Sequence, residues 1–353
     1  MKEQNTSNVK FLPITKLEKT DLKNKIFKSV RKNKSRKIRI KYGFGVAASV
    51  MLMMVSGDYF NETSTESIID FVNSSSTINS SSVDKVVLVL SEGKYLKIDE
   101  KNSGINYSTT GEEVKIGNKK TVNQKAYKNS KIVYNTLLVP YGRRSKIKLS
   151  DGSLVWLNSG SKLVYPAVFK GNKREIYLEG EAIFDVAHNK SKPFIVISQN
   201  QEIEVLGTVF GVTSYFDEKT INTVLKSGSV QISYHHDLLF PSESDKMKIS
   251  PGTIARFNKK SRGIVSEKVN VDSYFSWRDG VLVFNNNDLQ FIMKRLSRYY
   301  NIEIEISNDL LVNDRETFSG YLDLNEDINK VIENIKESTN MSYKFIENKI
   351  IIN

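Results

Sequence analysis

The side chains best suited to chemistry in this 353-residue chain are few. Glu179, Glu181 and Asp185 alternate through Leu-Glu-Gly-Glu-Ala-Ile-Phe-Asp-Val, and a carboxylate pair is what glycoside hydrolysis requires. Carboxylates alternating along a strand ordinarily form its solvated face, so catalysis is not expected of them. Ser159 and Ser161, in Asn-Ser-Gly-Ser-Lys, read as turn residues, with no histidine patterned nearby to activate a hydroxyl. The three histidines are His188, His235 and His236, and the adjacent pair reads as solvent-exposed loop rather than metal ligands. No HExxH, Walker-type, GxGxxG or GxSxG sequence is present. The absence of cysteine excludes disulfides, thiolate metal sites, a cysteine nucleophile and a lipoprotein-type anchor. Recognition is therefore expected rather than catalysis, with no cofactor and no metal. Trp156, Tyr165, Phe169 and Tyr177 offer rings for stacking, which keeps a carbohydrate-binding reading open.

The charge that must position any such surface is unevenly spread. Residues 1–41 hold 14 Lys/Arg against 3 Asp/Glu, while 42–353 hold 38 against 37. A nucleic-acid-binding domain carries its basic face on folded structure. Here the folded part is neutral, so no direct nucleic-acid partner is expected.

The basic block ends at Lys41, where YGFGVAASVMLMMVSG begins. Sixteen residues of helix reach about 24 Å, and extension through Phe60 brings this close to the ~30 Å hydrocarbon core. Residues 42–60 are read as a transmembrane helix, with Tyr42, Gly45, Val50, Leu52, Val55 and Gly57 inside it. Seven cations from Arg31 to Lys41 set the N-terminus in the cytoplasm. A buried core helix conflicts with those cations. A cleaved signal peptide, with Val55-Ser56-Gly57 near the cut, conflicts with so long a basic leader.

Before the membrane, Thr15-Lys16-Leu17-Glu18 reads as a capping box opening a short helix toward Lys32. Leu22, Ile26, Phe27 and Val30 fall on one face of it, presented either to a cytosolic protein or to anionic lipid. Beyond the membrane, 61–82 is a polar tether rich in Ser, Thr and Asn.

From Val86 to about Phe257 short strand patterns follow one another, broken by Asp151-Gly152, Gly171-Asn172 and Gly228. The spacing predicts an all-β sandwich, barrel or solenoid. Leu88-Val89-Leu90-Ser91-Glu92-Gly93-Lys94 echoes Ile147-Lys148-Leu149-Ser150-Asp151-Gly152-Ser153, so 83–135 reads as additional β structure on the same module, 136–262. After Val271 the pattern becomes α+β. Asn287 reads as a helix N-cap. Asp288, Leu289, Ile292, Met293, Leu296, Asn301 and Ile302 recur 39 residues later as Asp327, Ile328, Val331, Ile332, Ile335, Asn340 and Met341, which predicts tandem β-α-β units over 271–353.

The β region resembles the FecR family of sigma-factor regulators over about Thr136 to Asn258. The resemblance rests on Leu138-Val139-Pro140-Tyr141-Gly142, on Leu149 to Asn158 with Asp151, Gly152, Trp156 and Leu157, and on Ser161 to Pro166 with Tyr165 and Pro166. It continues through Arg174 to Val186 with Gly180, Glu181 and Phe184, then Lys192-Pro193-Phe194, and Val205 to Phe210 with Gly207, Thr208 and Phe210. The C-terminal repeat resembles the secretin/TonB short domain (STN). The resemblance implies a single-pass inner-membrane signal transducer, an anti-sigma factor with its bulk in the periplasm and no enzymatic activity. Its partners would be an extracytoplasmic-function sigma factor inside and the signalling domain of a TonB-dependent receptor outside, with an intramembrane protease as a further one. Two departures stand out: Gly211 replaces a common Asn, expected to alter only a turn, and a single helix precedes the membrane where the family has several. The rival class is a membrane-anchored carbohydrate-binding or adhesin-like β protein.

Overall fold

The computed structural model describes residues 15–31, 67–75, 80–90, 93–98, 104–117, 120–128, 131–199, 201–234, 245–307, 316–339 and 341–353. The expected span at 42–60 and the His235-His236 pair lie outside these residues. No helix among the described residues is long and apolar enough to cross a membrane. The chain divides into two units, Met1–Thr65 and Glu66–Asn353.

In the first unit, 16–31 is helical. The Thr15 hydroxyl and amide both donate to Glu18 Oε2, at 2.9 and 3.0 Å, which satisfies an otherwise orphaned N–H at the helix start. These bonds favour the charged carboxylate and hold Glu18 below the usual range. Leu22, Ile26, Phe27 and Val30 lie along this helix, each between 54 and 59 % exposed.

In the second unit, eighteen strands of the described residues form one curled sheet folded over as two layers. The first layer runs Lys94–Ile98, Val86–Leu90, Tyr134–Val139, Ser161–Pro166, Arg174–Asp185, Phe194–Ser198, Gln201–Val205, Val230–Tyr234 and Asp245–Ile249. The second runs Lys120–Asn123, Glu113–Ile116, Gly104–Tyr107, Ser145–Lys148, Leu154–Leu157, again Arg174–Asp185, then Val209–Ser214, Thr220–Ser227, Thr253–Asn258 and Ile264–Lys268. The twelve-residue strand Arg174–Asp185 serves both layers and crosses between them at Gly180, whose φ is +102°. Alternating residues from the two layers meet in one core, including Leu137, Leu163, Ile176 and Phe194 from the first and Ile147, Val155, Phe184 and Phe210 from the second. Phe184 and Phe210 stack at 5.0 Å between centroids. Tyr107 and Tyr165 join hydroxyls across the layers at 2.9 Å, and Asn135 donates to Tyr107 at 2.9 Å. Burial pushes both phenols upward.

The strands before residue 135 complete both layers. The sequence echo has a conformational cause: Gly93 and Gly152 each donate to the carbonyl three residues back, at φ +71° and +89°. Nothing would obstruct a Cβ at either, so the backbone angle alone calls for glycine.

The polar tether holds a short helix, Ile68–Ser74, capped by Ser67 and Asp70 in a reciprocal box. Ile68 and Phe71 pack with Tyr134 and Val164 on the first layer's outer face. Serine-rich composition hid this, because only the few apolar residues carry the docking.

A short helix, Asp272–Phe275, and a 3-10 turn, Ser276–Asp279, connect to the α+β region, where Gly280 at φ +83° ends the turn. There, strand Val281–Asn287 pairs with Phe318–Asp323, and Lys349–Ile352 pairs with both Glu303–Ile306 and Tyr343–Ile346. The helices Leu289–Tyr300 and Ile328–Glu337 supply Leu289, Ile292, Leu296, Val331 and Ile335 to a second core. The 39-residue repeat is structural: Asp288 and Asp327 are the N-caps, accepting from Phe291 and Asn329 amides at 2.7 and 2.9 Å. Asn287 is not the cap; it ends the preceding strand and accepts from the Asn285 amide at 2.9 Å.

Candidate functional site

A cluster of ion pairs lies where the β sandwich meets the α+β region. The bend at Gly180 brings Glu181 to the sandwich's rim, and the turn after Val209–Ser214 brings Asp217 and Glu218. Helix Leu289–Tyr300 answers with Lys294, Arg295 and Arg298. Arg298, 6 % exposed in its side chain, forks to Asp217 at 2.9 Å and Glu218 at 2.8 Å, with its guanidinium 3.9 Å from the Tyr215 ring centroid. Lys294 reaches Asp217 at 2.9 Å, and Arg295 reaches Glu181 at 3.3 Å. Glu181 accepts from the Asn158 amide at 2.7 Å and from the Thr213 hydroxyl at 3.3 Å. The Gly142 amide donates to the Arg298 carbonyl at 2.9 Å, and a Cβ on Gly142 would lie 3.1 Å from that of Asn301. Arg144 donates to the Trp277 carbonyl at 2.5 Å and lies 5.1 Å from the Tyr299 ring.

Electrostatics favour the paired state. Burial alone raises Asp217, but hydrogen bonds from Lys294 and the charges of Arg298 and Lys294 outweigh it and hold the carboxyl low. Burial opposes charge on Arg298, yet Tyr215, Glu218 and Asp217 push its pKa up. Burial, and then Glu181, raise Tyr215. Contacts of this polar kind resemble separable interfaces more than a continuous core.

Several expectations change here. Glu181 is not solvated but 5 % exposed, because the α+β region covers that face of the strand; Asp185 remains exposed. Ser161 is no turn residue: it opens strand Ser161–Pro166, donating to the Glu181 carbonyl at 3.0 Å and accepting from its amide at 2.9 Å. Gly211 sits in mid-strand facing Phe275 of the connector, so the departure falls on a packing face. The rings proposed for sugar stacking share no surface: Tyr165 is buried in the core, Phe169 packs against it, Tyr177 lies with Ile68, and Trp156 lies with the connector.

The motif residues prove to be mainly architectural. Asp151 accepts from Arg174, itself 2 % exposed, at 2.7 Å and fixes the turn through Ser153. Gly152 supplies the positive φ of that turn, and Leu157, Tyr165, Phe184 and Phe210 fill the core. Pro166 ends its strand buried. Gly207 leaves room for His188, which a Cβ would meet at 2.3 Å, and Thr208 donates to the Ser229 carbonyl at 3.0 Å. Arg295, Arg298 and Trp277 were not foreseen. The signal available was three cations within five residues on the polar side of an amphipathic helix.

The chain matches the model of the FecR protein family over residues 135–231 and that of the FecR C-terminal family over 281–352. Two crystal structures of a candidate anti-sigma factor from Parabacteroides distasonis ATCC 8503 are similar to it, at 27 % and 26 % identity and a TM-score of 0.56 each. Both alignments cover 62 % of this chain and 98 % of the other. Among curated proteins none matches.

Proposed function

We propose that this chain is a sigma-factor regulator of the FecR family, a family supported by the two ordered model matches and the crystal structures above. The observation that carries the reading is the 27 % identity to a candidate anti-sigma factor across nearly all of that protein's length. The same likenesses point to a regulator rather than an enzyme. In this reading the basic helix at 16–31 offers Leu22, Ile26, Phe27 and Val30 to an extracytoplasmic-function sigma factor. The four apolar side chains, Phe27 among them, stand together on one exposed stripe, as helix-in-groove recognition of a protein partner requires.

Residues 42–60 would cross the inner membrane as a single helix, leaving 61–353 in the periplasm. There the C-terminal region, in its STN-like role, would meet the signalling domain of a TonB-dependent receptor. Strand Phe318–Asp323 suits such a contact, since among the described residues only Val281–Asn287 pairs with it and its Tyr321 is 77 % exposed. An intramembrane protease acting on 42–60 would complete the relay. The relay needs its ends on opposite sides of a membrane. Protease added to intact spheroplasts is expected to digest the sandwich and spare an N-terminal tag; digestion of neither, or of both, contradicts the relay.

A further inference from the structure

The outer face of the second layer, where it meets the connector, holds a cavity of about 210 Å³. Arg144, Ser145, Lys146, Trp156, Trp277 and Arg278 line it. Lys146 Nζ lies 4.9 Å and the Arg278 guanidinium 5.3 Å from the Trp156 ring centroid. Three cations thus border the cavity, and no carboxylate lines it. The acid that touches one of them is Asp279, 3.4 Å from Arg278 and 67 % exposed in its side chain.

One buried polar atom sharpens the assignment. Trp277 Nε1 belongs to a residue 4 % exposed and finds no protein hydrogen-bond partner. Buried donors are ordinarily satisfied, and one left over on a residue that lines the cavity calls for a ligand that accepts hydrogen bonds. Indole N–H, guanidinium and ammonium are donors only, so the lining selects an acceptor of negative charge. A cation is repelled, and a neutral sugar, itself rich in donors, finds few acceptors here.

We propose that this cavity binds an oxyanion, a carboxylate or a phosphate, held by Arg278, Lys146 and Trp277 beside the Trp156 indole. The assignment goes beyond sigma-factor regulation and does not depend on it. The bound anion bridges the sandwich residue Lys146 to the connector residues Trp277 and Arg278. It therefore fastens the connector on which the α+β region is mounted.

Trp156 and Trp277 are the chain's two tryptophans and both line this cavity, so indole fluorescence reports on it. The full-length protein in a non-ionic detergent is titrated with inorganic phosphate, with acetate and with chloride at fixed ionic strength. Saturable change in emission with phosphate, or with phosphate and acetate, is expected, and chloride leaves it unchanged. Arg278→Gln and, separately, Lys146→Gln are expected to weaken the response at least tenfold with unaltered far-UV circular dichroism; two variants guard against one failing to fold. Absence of saturation, or equal saturation in wild type and both folded variants, overturns the site.

Discussion

Gly180→Ala is expected to destabilise the β sandwich by about 4 kcal/mol, combining backbone strain with overpacking. Gly180 has φ +102°, where a side chain is strained whatever the space, and the space is also missing. An added Cβ would lie 2.5 Å from Ser161 Oγ and 2.6 Å from Ser161 Cα, and the second of these is backbone that cannot swing aside. The same serine exchanges hydrogen bonds with the Glu181 amide and carbonyl, so relief by shifting Ser161 would break the pairing that carries the strand between layers. At ~2–4 °C per kcal/mol for a unit of this size, the thermal midpoint should fall by roughly 10 °C. Gly152→Ala is the control. Its φ is +89° with no atom near the missing Cβ, so only strain of ~1 kcal/mol is expected. Equal midpoints for Gly180→Ala and wild type, by calorimetry, would rule out the shared-strand argument.

Arg298→Ala should loosen the α+β region from the sandwich without melting the sandwich. Removing one partner of a buried ion pair costs ~3–5 kcal/mol when the remaining charge is sealed from water. Here Asp217 and Glu218 keep 52 % and 26 % of their side-chain exposure, so water recovers part of that cost and about 2–3 kcal/mol is expected. Loss of the guanidinium from the Tyr215 ring adds to the effect. Arg298→Lys should recover only part of it, since an ammonium cannot fork to two carboxylates. The expected sign is an early thermal step and faster proteolysis around 269–280, with the sandwich's own transition unmoved. A single transition coincident with wild type would show that the ion pairs do not hold the two regions together.

How far the sequence disclosed this architecture follows from the range of each interaction. Strand alternation, the acidic-glycine turns at Gly93 and Gly152 and the 39-residue repeat are local, and each is visible in the residues themselves. The Asp288 cap was displaced by one residue because Asn287 is also a good cap; pairing of Asn287 with Phe318 across the sheet decides between them. Glu181 was misread for a different reason. Alternation identifies which residues share a face, but not what covers it, and the cover comes from a helix more than a hundred residues later. The docked helix at Ile68–Ser74 was obscured by its serine-rich surroundings, and Gly211 by the assumption that glycine marks a turn. Trp156, offered for sugar stacking, lies beside two cations instead. Long-range contact, in each case, assigned the role that composition left open.

The claim on which the account turns is that the exposed stripe at 16–31 grips a sigma factor. Full-length protein, solubilised and immobilised, should capture an extracytoplasmic-function sigma factor from its own cell. The double substitution Ile26→Asp and Phe27→Asp should weaken capture at least ~30-fold, as loss of about 2 kcal/mol at a binding hot spot implies, with the sandwich's thermal midpoint unchanged. No capture by the wild-type chain, or equal capture by the double variant, would contradict it.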